Sequence, residues 1–458
     1  MVKSRLKETV VNQGFCVGCG VCAVECPLKV TMKINQLGMI QADIDENKLT
    51  DDEEKSISKV CPFSDDSENE TVLGGKIFGS NDSLKYHENT GYYLNSYAGY
   101  VKSGEYREKG SSGGMGTWLS SKLLESRMVD HVIHVKEKNE NPNELFSYQI
   151  TSNCIELRSG AKSKYYPIEM SEVLRFVEQN PGNYALVGIP CFIKGFRLIS
   201  NENPILKESI KYTIGLVCGH LKSTLFAQSI GWELGIEPSK LKKIDFRNKL
   251  EGRKSSDYAV EVEGDNRIER ARIKTLISTD WGHGLFKYKA CDYCDDVLAE
   301  LSDITIGDAW LPRYENDSEG TNLIIVRNQE IQDLLDKNQS EIFIEELSMD
   351  EVYQSQAGGF RHKKEGLMHR LYLEDQKGSW RPQKRVKAKY ESNNSRRKTY
   401  EIRIKLREFS YKYFLEALSA ENFSFFSNKI IILIDQCNKI ARGNMVNRII
   451  RKIKSSLG

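Results

Sequence analysis

Cys16, Cys19, Cys22 and Cys26 stand in a C-x2-C-x2-C-x3-C-P run that ends at Pro27. This spacing suits a cubane iron–sulfur cluster, because a tight loop can deliver three thiolates to three iron corners. Gly18 and Gly20 let the backbone wrap closely and turn amides toward the sulfurs. The proline turns the chain away and commits the fourth cysteine elsewhere, which in two-cluster ferredoxins means the other cluster. Cys61-Pro62 reads as the end of a second such motif, but the positions of its companions hold Asp51, Glu54 and Ile57. The module is therefore expected to have lost one cluster. The surviving [4Fe–4S] cluster is assigned to Cys16, Cys19, Cys22 and Cys61, leaving Cys26 without one. Zinc is the alternative for four thiolates, but its sites favour two separated C-x2-C pairs.

Further residues with chemical potential lie in the middle of the chain. Cys291 and Cys294 have the spacing to bring two thiolates to one metal, and Cys191 and Cys218 each follow an apolar segment. Those two either join them in the fold or are buried structural thiols. Cys154 and Cys437 have no companions at ligand spacing and read as structural. The Gly110-Ser111-Ser112-Gly113-Gly114 loop opens a helix. Its amides could cradle a phosphate, although such loops also serve as ordinary turns. Asp308, after a strand and Gly307, is either a hydroxyl-orienting group or a cap. His220 beside Cys218 is either a potential-tuning or proton-relaying group or a structural histidine.

Taken in order, the pieces Arg107–Gly114, Ser163-Lys164-Tyr165, Gly188–Cys191, Gly215–His220, Cys291–Cys294 and Ser302–Trp310 form a pattern. Over about residues 10–380 the chain resembles the coenzyme F420 hydrogenase/dehydrogenase beta-subunit family, here behind a ferredoxin-like front. The resemblance implies a flavin and iron–sulfur enzyme, with FAD beside a second [4Fe–4S] cluster on Cys191, Cys218, Cys291 and Cys294. It also implies that Arg107, Gly110, Ser111, Ser112, Gly113 and Gly114 belong to the FAD pyrophosphate site, with Lys164, Tyr165 and Asp308 lining the same pocket.

The elements that must position these residues mix helix and strand. Trp118–Met128 has helical periodicity and leads into the apolar run Val129–Val135. Tyr184–Gly188, Tyr212–Val217 and Ile304–Ile306 read as buried strands. The expected class is α+β. The expected order is a ferredoxin-like domain over 1–65, a polar linker over 66–95, a flavin and iron–sulfur domain over 96–380, and a basic linker with a helical tail over 381–458. A chain of 458 residues, 39% hydrophobic, suits two or three such units.

Eleven cysteines without a signal-peptide pattern point to a reducing, cytoplasmic setting rather than a disulfide framework. The longest apolar run, Ile430–Ile434, is far below the ~20 residues of a membrane span. From Arg381 onward there are 19 Lys and Arg against 6 Asp and Glu, leaving 47 against 58 before it. An acidic body thus carries a basic tail. Within the tail, Ile430, Leu433, Ile434, Cys437, Ile440, Ala441, Ile449 and Ile453 recur at helical spacing. Such a stripe is expected to pack on the acidic body or a second copy, ahead of an anionic membrane surface or an acidic partner. Nothing suggests nucleic acid.

The expected activity is electron transfer between a ferredoxin-type or deazaflavin (coenzyme F420) carrier and an organic substrate, through the clusters and FAD. The two rivals are an electron-transfer subunit whose catalytic partner is a separate enzyme subunit, and a non-enzymatic metalloprotein with structural clusters or zinc.

Overall fold

The computed structural model describes residues 5–138 and 144–456, with Arg442 and the stretch from 444 as backbone alone. The front begins with a turn of π-helix at Lys7–Val11, the short helix Val21–Glu25 and the antiparallel pair β1 (Val30–Ile34) and β2 (Ile40–Ile44). The helix Asp51–Val60 follows. It starts on a capping box, Thr50 accepting from the Glu53 amide while the Glu53 carboxylate returns to the Thr50 backbone.

Residues 66–95, expected to be a linker, carry the helix Glu70–Phe78 and the hairpin β3 (Lys85–His87) and β4 (Gly91–Tyr93). Leu73 joins the same apolar cluster as Val21, Val24, Ile57 and Val60 of the front and Leu174, Phe192, Ile193 and Phe196 of the body. The front module therefore shares a core with the body.

The body is built on an eight-stranded mixed sheet. In chain order its strands are β5 (Asn95–Val101), β6 (His131–Glu137), β7 (Phe146–Thr151), β8 (Tyr184–Gly188) and β9 (Ile210–Leu216). A separate antiparallel sheet of β10 (Leu241–Asn248), β11 (Ala259–Gly264) and β12 (Arg267–Arg272) follows, before β13 (Ile304–Asp308), β14 (Asn322–Val326) and β15 (Ile342–Glu346) complete the large sheet. The order across it is β15-β5-β14-β13-β9-β8-β6-β7. Its centre, β13-β9-β8-β6, is parallel, and consecutive residues along these strands are buried, as in strands covered on both faces. The expected strands thus fall in this parallel centre, and the α+β class holds.

Parallel strands align their carboxyl ends along one edge, where open α/β sheets place ligands. Here that edge carries Gly188 running into Cys191, Leu216 running into Cys218, and Asp308. The helix Met115–Glu125, after the Gly110–Gly114 loop, packs below the sheet through Met115, Trp118, Leu119 and Leu123.

The C-terminal segment is integrated with the rest. Trp380 donates from its indole to Asp65 at 3.1 Å, and Arg385 reaches Glu300 at 2.6 Å and Asp295 at 3.2 Å. The helix Asn394–Ser419 buries Leu406, Tyr411 and Phe414 against Phe226, Phe286 and Phe426, the last belonging to the final helix Phe423–Ser456. Ile430 and Cys437 share that core, while the side chains of Ile449 and Ile453 lie outside the described residues. No helix among the described residues is long and apolar enough to cross a membrane.

Candidate functional site

The front loop turns twice through left-handed backbone, at Gly18 (φ 71°) and Gly20 (φ 89°), before the helix Val21–Glu25. This brings Cys16, Cys19 and Cys22 to one place, and Cys61 arrives from the end of the helix Asp51–Val60. Burial raises the Cys22 thiol well above its usual value, and Cys19, Cys16 and Cys61 act on it as like-charged neighbours. Burial likewise pushes up Cys16 and Cys19, and Cys61 to about 12. Backbone amides point at the sulfurs: those of Gly18 and Ala42 at Cys16, Val21 at Cys19, and Phe63 and Ser64 at Cys61.

Cys26 stands apart. Burial raises it first, and its charged neighbours are Glu53, Lys29 and Glu25 rather than the other cysteines. Of the positions that lack cysteine, Asp51 is exposed at the start of its helix, Ile57 is in the core, and Glu54 accepts from the Leu6 amide at 2.9 Å.

A second quartet forms at the carboxyl edge of the sheet. Burial raises Cys191, with Cys294, Cys218 and Cys291 as like-charged neighbours, followed by Cys19 of the front quartet. Burial takes Cys218 to about 11 and Cys291 to about 12. The Leu221 amide donates to Cys291 Sγ at 3.1 Å, and Lys363 Nζ to Cys294 Sγ at 3.4 Å.

Four converging thiols, each buried or half-buried and backed by amide donors, are the donor set of cysteine-ligated iron–sulfur clusters. Among the described residues no three Cys, His, Asp or Glu side chains close on the site of one metal ion. A cubane asks for a wider quartet than tetrahedral zinc, whose Zn–S bonds are ~2.3 Å, because each thiolate binds a different iron.

The two quartets are neighbours. The helix Pro190–Glu202 carries Cys191 in its first turn. One turn on, a Cβ on Gly195 would lie 3.5 Å from Cys19 Sγ and 3.2 Å from Val21 Cγ1. Glycine there admits the front loop against the helix. Four residues of helix advance about 6 Å along the axis. Phe15, beside Cys16, also meets Tyr293, beside Cys294, edge to face at 4.9 Å between ring centroids.

Beyond Cys218, the same edge meets the Gly110–Gly114 loop. Arg247, on β10, donates to Asp308 Oδ2 at 2.8 Å and to the Ser111 carbonyl at 3.0 Å. Although burial opposes it, Asp308 helps hold the Arg247 guanidinium far above its usual value. Lys249 donates to the carbonyls of Arg107 and Ser112. On this side the loop thus offers carbonyls to two cations, whereas the sequence suggested amides facing an anion. Gly113 lies against Gly99 and Asn322, and Gly114 caps the helix, whose Met115 amide donates to Asn322 Oδ1 at 3.0 Å.

Ser111 Oγ accepts from the Ser163 amide at 2.8 Å, tying the loop to Lys164 and Tyr165. Lys164, lowered by burial, donates to the Ala161 carbonyl at 3.0 Å. Tyr165 lies between Phe246 and Trp281, and Trp281 reaches His220, 4.3 Å between centroids. Arg107 is turned outward, its guanidinium 3.6 Å over Tyr100 and bonded to Asp317 and the Gly320 carbonyl.

Along this line three buried polar atoms have no partner among the described residues: His220 Nε2, Arg247 Nε and Asn248 Nδ2. Buried polar groups are rarely left unpaired, so these fit a polar ligand such as a flavin. Burial, then Lys222 and Lys287, holds His220 neutral. Arg247, Asn248, Lys249 and Trp281 were not singled out from the sequence, where no local motif marks them.

Two family models describing the coenzyme F420 hydrogenase/dehydrogenase beta subunit match the chain, the one for its N-terminal part over residues 96–175 and the one for its C-terminal part over 182–352. The coenzyme F420-dependent sulfite reductase of Methanocaldococcus jannaschii is 24% identical over 347 residues, covering 72% of this chain. The match spans 46% of that protein's length. An uncharacterized protein of the same organism is 23% identical over 349 residues, covering 71% of this chain and 86% of its own. A chain in the structure of the F420-reducing [NiFe] hydrogenase complex from Methanosarcina barkeri aligns with a TM-score of 0.48 at 15% identity. That alignment covers 63% of this chain and 96% of the other. With both models matched in order across the sheet that carries the second quartet, the chain belongs to the coenzyme F420 hydrogenase/dehydrogenase beta-subunit family.

Proposed function

We propose that the chain is an iron–sulfur flavoprotein oxidoreductase passing electrons between a ferredoxin-type or deazaflavin carrier and an organic substrate. The observation that carries this reading is the helix Pro190–Glu202, which starts in one cysteine quartet and presses Gly195 against the other. When bound, two [4Fe–4S] clusters would supply one-electron transfer and FAD the conversion to a two-electron hydride step.

Cys16, Cys19, Cys22 and Cys61 would hold the outer centre, and Cys191, Cys218, Cys291 and Cys294 the inner one. Arg247, Asn248 and His220 would present their free polar atoms to the flavin, with Tyr165 and Trp281 as apolar walls. Lys249 holds the Arg107–Ser112 turn in place through its carbonyls. The shared core of front and body keeps the quartets at a fixed separation, as electron transfer between them requires.

The test is the cofactor content of protein purified without oxygen. About eight irons with matching acid-labile sulfide and one FAD are expected. About four irons and no flavin would refute the reading of the inner quartet and of the Arg247 corner.

A further inference from the structure

Lys363 lies past residue 352, where the family match ends, in the π-helical turn Arg361–Glu365. Such turns are frequent at functional sites. Its side chain is 2% exposed, and its ammonium is held by the Asp296 carbonyl at 2.6 Å while donating to Cys294 Sγ at 3.4 Å. The Asp296 carboxylate is turned into its own loop, where it accepts from the amides of Leu298 at 2.8 Å and Glu300 at 3.0 Å. Among the described residues no carboxylate oxygen is within ion-pair distance of Lys363 Nζ. An unpaired buried cation is costly, so the sulfurs are the groups that answer its charge. The front quartet differs. Lys194, a buried cation that acts on Cys61, faces the Glu70 carboxylate at 3.5 Å.

We propose that Lys363 sets the reduction potential of the centre held by Cys191, Cys218, Cys291 and Cys294, raising it by favouring the more negative, reduced state. The inference rests on the reading of that quartet given above. Hydrogen bonds to the sulfurs and the net charge nearby are the levers by which a protein tunes such a centre. Reduction adds one electron from the one-electron carrier, and no bond or proton need change. The fixed ammonium therefore attracts the reduced state, with its one additional negative charge, more strongly than the oxidised one. Lys363 acts through Cys294 and is a positioning residue.

The experiment is a redox titration, followed by electron paramagnetic resonance, of the full chain purified without oxygen. Wild type, Lys363→Met, Lys363→Gln and Lys363→Arg are compared. At a fixed potential near the inner midpoint, the reduced-to-oxidised ratio should fall at least tenfold in the Met and Gln variants. That is a downward shift of about 59 mV per tenfold for one electron. The Arg variant should stay within about threefold of wild type, since charge rather than shape is the tuning element. The outer centre's signal should not move.

Neutral variants that keep both centres and titrate as wild type would overturn the proposal while leaving the quartet's reading intact. Equal shifts of both centres would also overturn it, as a general structural effect. If the Met variant alone loses its inner centre, the Gln variant decides. Loss from both would assign Lys363 to assembly and overturn the tuning role. About four irons in the wild type would overturn both the quartet's reading and this one.

Discussion

Arg407 Nη1 donates to Asp292 Oδ2 at 2.6 Å, joining the penultimate helix Asn394–Ser419 to the turn between Cys291 and Cys294. Asp292 is 1% exposed and also meets Lys287 at 2.5 Å, His362 at 3.3 Å and Arg370 at 3.8 Å. Burial opposes its ionisation, but Lys287, Arg407 and Arg370, together with a hydrogen bond from His362, hold the carboxyl well below its usual range. Removing one partner from a buried ionic network leaves charge uncompensated. Arg407→Met is expected to cost about 3 kcal/mol in denaturant unfolding. It should also lower iron content by loosening the Cys291–Cys294 loop. Wild-type stability and iron in the variant would show that Lys287 and Arg370 suffice.

Gly195 makes the contact between the quartets testable. A leucine there would push its side chain into Cys19 and Val21, and overpacking of this kind costs about 1–3 kcal/mol. Gly195→Leu should lose iron selectively from the outer centre, because Cys19 is displaced while Cys191 keeps its place one turn earlier. Equal loss from both centres would mean that the helix itself had moved.

What could be read in the sequence was what is local. The spacing of Cys16, Cys19 and Cys22 is dictated within seven residues, and strands such as Tyr184–Gly188 announce themselves as short apolar runs. Contacts made across the fold left no such mark. Lys363 reaches Cys294 over 69 residues and Arg407 reaches Asp292 over 115. In a chain rich in charge, a cation destined for burial has the same local appearance as a solvated one. The segments expected to be linkers misled for a related reason. Their polar composition conceals the buried Glu70 and the half-buried Arg385, which share one ionic network with Asp295 and Glu300.

Cys26 separates the two ways of using the front motif. Its charged neighbours are Glu53 and Lys29, and no other cysteine is among them. Cys26→Ser should therefore retain the iron of wild type, whereas Cys19→Ser should lose about half. Iron and sulfide analysis of the two variants decides it. Equal loss in both would bring Cys26 back as a ligand.

Glu233 gives the fold a pH dependence of known sign. At the end of the helix Thr224–Glu233, its carboxylate accepts from the Ile277 amide at 3.1 and 3.0 Å, and burial raises its pKa from 4.5 to about 7. The folded state thus binds the proton more tightly than the unfolded state. Its favourable contribution is complete below pH ~4.5 and is lost as pH rises through about 7. Glu233→Gln stays neutral and keeps an acceptor for Ile277. It should match wild type at pH ~4.5 and exceed it by about 1–2 kcal/mol at pH ~8, after discounting for partial exposure. Urea midpoints at the two pH values measure the difference. A gap independent of pH would place the effect in packing, and a less stable variant at pH ~8 would reverse the sign assigned to Glu233.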